Sequence, residues 1–279
     1  MCIFECVRGF YAKAEEEAER LGPLLENLTN AYLGGDFSAA GAAVGRITLD
    51  KLPIVMQQSA PLCMRALYDR LRSQHHLKHD GRMQFGLFLK GIGVTLEDAL
   101  TYWRDEFMRG GKTSEQFDKG YAYNIRHNYG MEGKRTNYTP YSCMRVIGST
   151  PVGDQYHGCP FRHWDESHLT SALQSMRLGS AVVHDVMDKV RGHHYQVACL
   201  RVFEATHPGS TVDALNHPNQ YFQDSLKHYE AKAAASGAGG ADQVPLVPRY
   251  AACCGSPPPS VNCQALTFPN FVALDVNPL

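Results

Sequence analysis

Four widely separated cysteines in the middle of the chain place the strongest constraint on its fold. They stand 80, 16 and 40 residues apart, at Cys63, Cys143, Cys159 and Cys199. A zinc ribbon would show Cys-x-x-Cys pairs, so this spacing fits no such module. Cys159 lies between Gly158 and Pro160. Glycine permits a close backbone approach and proline fixes a turn, and ligand runs of bacterial ferredoxins often end in Cys-Pro. On the residues alone, buried ordinary cysteines, disulfides and metal ligands all stay open.

The other five of the nine cysteines lie toward the two ends of the sequence, at Cys2, Cys6, Cys253, Cys254 and Cys263. The first residues include Glu5 and Arg8 and contain no small-residue cleavage site, so we expect no signal peptide. No apolar run approaches the roughly 18–20 residues that a bilayer crossing needs, so we expect no membrane partner. We therefore expect a reducing, intracellular compartment, which disfavours a disulfide framework.

Positive charge is concentrated in one part of a nearly neutral chain. The formal net charge is −1, yet residues 61–163 contain 15 Lys or Arg against 10 Asp or Glu, together with six of the 13 histidines. This asymmetry predicts a basic face of the kind that binds nucleic acid. A mixed, solvated surface is the alternative interpretation.

The apolar periodicity predicts a mostly helical protein. A helix is expected from Ser59 as N-cap, with Met64, Leu67, Tyr68 and Leu71 on one face, followed by a polar turn at "HHLKHDGR". In "TLEDALTYWRDEFM", Thr95 is a predicted cap for the clearest helix. Its apolar stripe is Leu96, Ala99, Leu100, Trp103 and Phe107.

Further segments complete this fold prediction. Helices are expected at residues 11–33, Ser180–Arg191 and His194–Ala205, with a loop at 34–45. Residues 128–160 are rich in Gly, Pro, Tyr and Thr, which favours irregular or short-strand structure. After about residue 230 the Ala/Gly/Pro-rich composition is typical of disorder.

Five segments, in order, carry a specific resemblance: "PLCMRALYDRLRSQHHLKHDGRMQFGLFLKGIGVTLEDAL", "FDKGYAYNIRHNYGMEGKRTNYTPYSCMRVI", "YHGCPFRH", "HHYQVAC" and "LNHPNQYF". Together they resemble the C-terminal iron–sulfur domain of the DNA primase large subunit, in its eukaryotic branch. The resemblance implies three regions. Residues 1–55 would be a remnant of the N-terminal domain and linker, 56–230 the iron–sulfur, primer/template-binding domain, and 231–279 a disordered tail.

The resemblance implies that the four central cysteines hold one [4Fe–4S] cluster. The matching positions are Cys63, Cys143, Cys159 and Cys199. A cluster that joins four distant elements closes long loops, so we expect it to act as a structural staple. The implied fold is thus a mostly α, helical iron–sulfur domain with an irregular or short-strand basic segment.

The resemblance also implies a site for the 5′-triphosphate of the primer and a neighbouring template/primer surface. The implied triphosphate residues are His76, Lys78, His79, Arg82 and Lys90, and the template/primer residues are Met83, Tyr121, Tyr123, Asn124, Arg126 and Ser142. Relatives often have Arg at the position of Lys78, and a small residue at that of Asp80, so both depart from the pattern. The alternatives are an ordinary solvated turn at 75–79 and a core position for Tyr121.

The implied function is that of a non-catalytic subunit in primer synthesis, in the nucleus. Its expected partners are a DNA template, an RNA primer, the small catalytic primase subunit and DNA polymerase alpha. Because the family's N-terminal domain is largely missing from this sequence, we expect a fragment, a shortened gene model or a short isoform. Two rival hypotheses are a zinc-stapled nucleic-acid-binding module and an iron–sulfur redox protein. A Gly-rich dinucleotide motif is not found in the sequence, which disfavours the second rival.

Overall fold

The computed structural model describes residues 47–235 of the 279-residue chain, and these residues form helices and loops without a strand. The helices are α1 (Leu52–Ser59), α2 (Leu62–Gln74), α3 (His79–Gly91), α4 (Leu96–Arg109), α5 (Ser114–Phe117), a π-helix (Asp118–Ala122), α6 (Tyr123–Asn128), α7 (Cys143–Gly148), α8 (Pro160–His163), α9 (Glu166–Ser175), α10 (Ser180–Arg191), α11 (Tyr195–Thr206) and α12 (Pro218–Ala235). This confirms the mostly helical prediction. Within the described part, none of these helices combines the length and apolar character that a bilayer crossing requires.

Aromatic side chains from three helices build the centre of the core. Phe85 of α3 meets Trp103 of α4 edge-on, with ring centroids 6.0 Å apart. Phe88 meets Phe222 of α12 at 5.7 Å and 90°. All four rings are almost completely buried. Edge-to-face packing at these distances is the preferred arrangement of aromatic pairs, so α12 is fixed against α3 although the two are far apart in sequence.

The structure confirms α4 and its cap. The Thr95 hydroxyl accepts a hydrogen bond from the Asp98 amide at 3.1 Å and donates to the Asp98 carboxylate. The predicted stripe faces the core, with Ala99, Trp103 and Phe107 buried. Two later helices are also confirmed: α10 has the predicted bounds, and α11 begins one residue later than predicted.

The start of α2 corrects one prediction. Ser59 is the last residue of α1 instead of the cap of the following helix, and α2 begins at Leu62 after Pro61. A residue before proline is pushed to extended geometry, and Ala60 has ψ 138°, so the helix breaks there. The predicted polar turn is also shorter than expected, because α3 begins at His79.

The segment 128–160 is irregular, and α7 is the only helix that lies wholly within it; the short-strand part of the prediction is therefore wrong for this segment. Four glycines with positive φ interrupt it, at Gly130, Gly133, Gly153 and Gly158, and such backbone angles do not fit a regular strand.

Several predictions lie outside the described residues. These are the helix at 11–33, the loop at 34–45, the five outlying cysteines and the tail from residue 236 onward. Helix α12 runs to Ala235, a few residues past the predicted start of the tail at 231.

Candidate nucleic-acid interface and cysteine pocket

The four central cysteines, which come from four different parts of the fold, line one pocket. Cys63 is the second residue of α2, Cys143 the first of α7, Cys159 the N-cap of α8, and Cys199 lies within α11. The rest of the wall is mainly apolar and includes Phe161. Among residues 47–235, no three His, Cys, Asp or Glu side chains are grouped to hold a single metal ion.

Burial raises the pKa of all four thiols, and the proximity of other cysteines adds to the shift for three of them. The pKa of Cys63 is raised well above its ordinary value by burial, and the charges of Cys159, Cys143 and Cys199 raise it further. Burial is also the largest cause of the raised pKa of Cys143, which is about 12, and of that of Cys159, which is about 11. The pKa of Cys199 is raised well above its ordinary value by burial and then by Cys143 and Cys159. Bare thiolates are therefore unstable here, and a ligated cation would have to stabilise them.

The turn before Cys159 requires a glycine at position 158. Gly158 has φ +84°, and a Cβ added there would lie 2.7 Å from the Ser149 carbonyl oxygen and 2.8 Å from His163 Cδ2. The buried Gln84 amide accepts from the Gly158 N–H at 2.8 Å and donates to its carbonyl at 3.3 Å. This pair of bonds attaches the cysteine turn to the middle of α3.

His76, Arg82 and Tyr121 are brought together beside the start of α3. The Arg82 guanidinium lies over the Tyr121 ring at 5.0 Å, and its Nη1 donates to the Leu77 carbonyl at 2.8 Å. The His76 and Tyr121 rings are 6.2 Å apart, edge to face. Tyr121 also stacks on the buried Phe107 at 4.4 Å. The alternative that Tyr121 is a core residue therefore holds for its contact with Phe107, whereas Arg82 contacts the same ring. The π-helix that carries Tyr121 is a rare element often found at functional sites.

The charge state of His76 follows from its neighbours. Burial lowers its pKa, and the positive charges of Arg82, Lys112 and Lys78 lower it further. The ring is therefore neutral at pH 7 in the free protein. It would gain its charge when an anion binds beside it or when the solution is acidified.

Carboxylates lie among the cations at this end of α3. Lys78 forms an ion pair with Asp154, which lies in the loop before the Gly158 turn. Asp80 Oδ2 is 3.9 Å from His157 Nε2. His79, the first residue of α3, is exposed. The Lys78 side chain, at the N-cap of α3, makes no capping hydrogen bond, and the carboxylate of Asp80 lies in the first turn, near the positive end of this 13-residue helix.

Lys90 is placed apart from the other predicted triphosphate residues. It lies eight residues beyond Arg82 on α3, which is about 12 Å along a helix axis. Its side chain is 3% exposed, and burial lowers its pKa to about 8. Its three ammonium protons are accepted by the Asn128 carbonyl at 2.7 Å, the Tyr138 carbonyl at 2.7 Å and the Asn137 side chain. In this conformation the ammonium has no proton left for a phosphate.

The predicted template/primer residues are distributed over four elements: α3, the π-helix, α6 and the N-cap of α7. The Asn124 amide contacts the Met83 sulfur at 3.4 Å, which joins α6 to α3. Tyr123 is 52% exposed, and Arg126 donates to Glu132 at 2.7 Å. Ser142 caps α7, directly before Cys143, by accepting from the Arg145 amide at 3.4 Å. Met83 and Asn124 are thus together, whereas the position of Ser142 links it to the cysteine pocket.

Glu106 is a site residue that the sequence interpretation did not identify. Its carboxylate is 2% exposed and contacts Arg72, His75 at 3.0 Å and Arg109 at 3.2 Å. His75 directly precedes the His76–Lys78 loop, so this carboxylate holds one end of it. A glutamate next to Phe107 in the buried stripe of α4 is the signal that could have indicated it.

The comparisons with known proteins agree with these features. The family described as the C-terminal domain of the large subunit of eukaryotic and archaeal DNA primase matches residues 54–222. A probable DNA primase large subunit of Arabidopsis thaliana is 52% identical over 222 residues, which is 80% of this chain and 48% of that protein. The DNA primase large subunit of Homo sapiens is 51% identical over 77% of this chain and 42% of that protein. The DNA primase large subunit of Saccharomyces cerevisiae is 37% identical over 77% of this chain and 44% of that protein.

The chain therefore spans about half the length of the curated relatives it matches. The matched region contains all four central cysteines and the basic start of α3. The chain belongs to the family of C-terminal domains of the large subunit of eukaryotic and archaeal DNA primase.

Proposed function

We propose that this chain acts in DNA replication as a non-catalytic, primer-binding part of a nuclear DNA primase, where it holds the 5′-triphosphate end of the primer together with the template. One observation carries the proposal: His76 and Arg82 both lie against Tyr121 at the N-terminal end of α3, where the N-cap side chain makes no capping hydrogen bond. A helix N-terminus favours anions, and a guanidinium can donate two parallel hydrogen bonds to a phosphate. Lys78 and His79 would complete the site.

The described contacts suggest how the triphosphate would be accommodated. Lys78 would exchange the Asp154 carboxylate for a phosphate oxygen. That ion pair is exposed, and exposed pairs contribute only about 0–1 kcal/mol, so the exchange is inexpensive. Lys90 would act indirectly, by holding the loop that precedes α7, because its protons already have acceptors.

We also propose that Cys63, Cys143, Cys159 and Cys199 hold a [4Fe–4S] cluster. The donor set supports this: four buried thiols line one largely apolar pocket, and thiolates are the usual ligands of such clusters. A single zinc ion would need all four sulfurs about 2.3 Å from one point, and the described residues contain no grouping of that kind. Bound there, the cluster would supply a covalent cross-link between α2, α7, α8 and α11.

The rivals predict different metal contents. Iron and inorganic sulfide in the purified protein, with visible absorbance, would support the cluster, whereas zinc without colour would support the zinc-stapled module. The small catalytic primase subunit and DNA polymerase alpha are proposed partners on the strength of family membership. In this proposal nucleotidyl transfer belongs to the small subunit.

A competition titration tests the proposed function. Two primer–template junctions differ only at the primer 5′ end, which carries a triphosphate or a hydroxyl. We expect the triphosphate to raise affinity about 5- to 150-fold, since charge-assisted hydrogen bonds contribute roughly 1.5–3 kcal/mol before desolvation. Arg82→Ala should remove most of this preference, and Arg82→Lys should restore part of it. Arg201→Ala, at an exposed position of α11, is the matched control. Equal affinity for both ends in the wild-type protein would refute the proposal.

A further inference from the structure

Three aromatic rings form a row on α6 and the loop that follows it, in which the two outer tyrosines are exposed and the central His127 is half-buried. The rings of Tyr123 and His127 have centroids 5.9 Å apart at 26°, and His127 lies 4.8 Å from Tyr138 at 35°. Tyr123 is 52% exposed and Tyr138 36% exposed. Tyr123, His127 and Tyr138 are called the aromatic row below. The exposed parts of the two tyrosine rings are apolar surface that the described residues leave uncovered.

The row is held in place by the buried Lys90. Tyr123 and His127 are four residues apart and share one face of α6. Tyr138 comes from the loop, and its carbonyl accepts from Lys90 Nζ. The same ammonium binds the Asn128 carbonyl, where α6 ends. Both ends of the loop are thus attached to one cation, which fixes Tyr138 beside His127.

The surroundings of the row are positively charged. Residues 119–145 contain five Lys or Arg and one acidic residue, Glu132, which is paired with Arg126. Lys134 and Arg135 are exposed, and neither forms an ion pair with a residue of the described 47–235. Gly133 passes close to the row, since a Cβ there would lie 3.5 Å from the Tyr123 hydroxyl. The residue that directly precedes these two cations in the chain therefore lies beside the row.

We infer that the aromatic row stacks unpaired bases of a nucleic-acid single strand, while Lys134 and Arg135 contact its phosphates. Ring faces with adjacent cations are the arrangement by which proteins hold single strands without reading sequence. Within the proposed function, on which this assignment of the strand rests, the strand is the unpaired template beyond the primer end. His127, Tyr138, Lys134 and Arg135 join Tyr123 as binding residues, and Lys90 is a positioning residue.

The test uses DNA that carries no triphosphate. The probes are a fluorescent oligothymidylate of about 12 nucleotides, within the usual site sizes of single-strand binders, and an abasic strand of equal length. The abasic strand keeps the phosphates and lacks the bases. We expect the full chain to bind the base-bearing strand about 5- to 150-fold more tightly, since stacking contributes roughly that factor per base.

Variants then assign the preference to the row. Tyr123→Leu and Tyr138→Leu should each reduce the ratio of the two affinities, whereas Tyr138→Phe should keep it. His168→Leu removes an exposed ring of α9 that stacks on Trp164. This variant should leave the ratio unchanged. Lys90→Met should lower the ratio, because Tyr138 loses the cation that binds its carbonyl. Lys134→Ala and Arg135→Ala should each reduce the salt dependence by about one released ion.

Two outcomes would overturn the inference. One is equal affinity of the wild-type protein for the base-bearing and abasic strands, a measurement that requires no variant to fold. The other is an undiminished ratio in both leucine variants. If the triphosphate preference is absent while the base preference follows the row, the inference stands and end recognition fails. If the triphosphate preference is present and the base preference is absent, end recognition stands and the inference about the aromatic row fails.

Discussion

His75 Nδ1 lies 3.0 Å from the Oε2 oxygen of Glu106, and this contact joins the loop before α3 to the last turn of α4. His75 has φ +53°, in the left-handed region, and ends α2. Its neighbour His76 packs edge-on against Phe107 at 5.3 Å. One turn of α4 therefore fixes the position of the loop through a charge and a ring.

Replacing Glu106 by Gln should destabilise the protein by about 1–3 kcal/mol, because charge-assisted hydrogen bonds to Arg72 and His75 are weakened. Urea unfolding measures the change. Glu97→Gln, an exposed position on the same helix, is the control and should alter stability by less than about 0.5 kcal/mol. Similar stability of the two variants would contradict the anchoring role.

Gly158→Ala should destabilise the protein more than Gly153→Ala does. Both glycines have positive φ, but an added Cβ meets the Ser149 carbonyl oxygen at 2.7 Å in the first case and open space in the second. Gly153→Ala should cost about 1 kcal/mol for the backbone alone. Gly158→Ala should exceed it by about 1–3 kcal/mol. Thermal unfolding of both variants measures the difference in stability. Equal loss of stability in the two variants would show that crowding at position 158 has no effect.

Cys199→Ser should lose metal and destabilise the fold, since removal of a metal site is among the severe classes of mutation. Iron and sulfide analysis, together with thermal unfolding, measures both effects. The double variant of Cys253 and Cys254 serves as control and should keep the metal content of the wild-type protein. Full iron retention in the Cys199 variant would show that this thiol is not a ligand.

Asp154→Asn should strengthen the preference for a 5′-triphosphate by up to about 5-fold. The substitution frees Lys78 from an exposed ion pair worth about 0–1 kcal/mol. Asp105→Asn, another exposed carboxylate, should have a smaller effect. The measurement is the competition titration described above. A weaker preference in the Asp154 variant would mean that the carboxylate supports the site instead of competing with the phosphates.

Acid should destabilise the protein through His207. The side chain is buried, and burial lowers its pKa to about 4, although the Phe203 carbonyl partly opposes the shift and His228 adds to it. An unfolded histidine titrates near about 6.5, so between pH 6.5 and 4 the unfolded chain binds the additional proton and stability falls as pH falls. The full loss is roughly 3 kcal/mol.

His207→Gln removes this titration, so its stability should depend less steeply on pH over the same interval. Thermal unfolding at several pH values compares the two proteins. His217 and other histidines also have lowered pKa values. The stability of the variant should therefore still fall with pH, but less steeply than that of the wild-type protein. Identical slopes would exclude His207 as a contributor.

Local signals predicted the helices best. The cap at Thr95 and the stripe through Trp103 lie within one element, so the sequence indicates α4 directly. The break at Pro61 is equally local, but Ser59 is also a good N-cap residue, so the sequence favours a helix start two residues too early. The short strands predicted for 128–160 failed for another reason: tyrosine and threonine favour strands, yet the positive-φ glycines interrupt the segment.

Contacts between distant residues account for what the sequence did not indicate. Glu106 meets His75 from 31 positions away, Lys90 meets Asn128 from 38, and Gln84 meets Gly158 from 74. Each is a polar residue in an apolar stretch, and such a residue announces a buried partner without identifying it. The shared pocket of the four cysteines likewise depends on tertiary packing; the family resemblance implied it, whereas their spacing did not.

The bonds of Gln84 to Gly158 have a thermodynamic consequence. Arg82 and Gln84 are two residues apart on α3, so the guanidinium proposed to bind the primer end and the amide that holds the cysteine turn belong to one stiff segment. Coupling between two binding events is reciprocal. If metal retention improves affinity for the 5′ end by some factor, primer-end binding must improve the affinity for the metal by the same factor. A protein already engaged with a primer would then be protected against oxidative or chelating damage at its cysteines, and an idle one would be the more vulnerable.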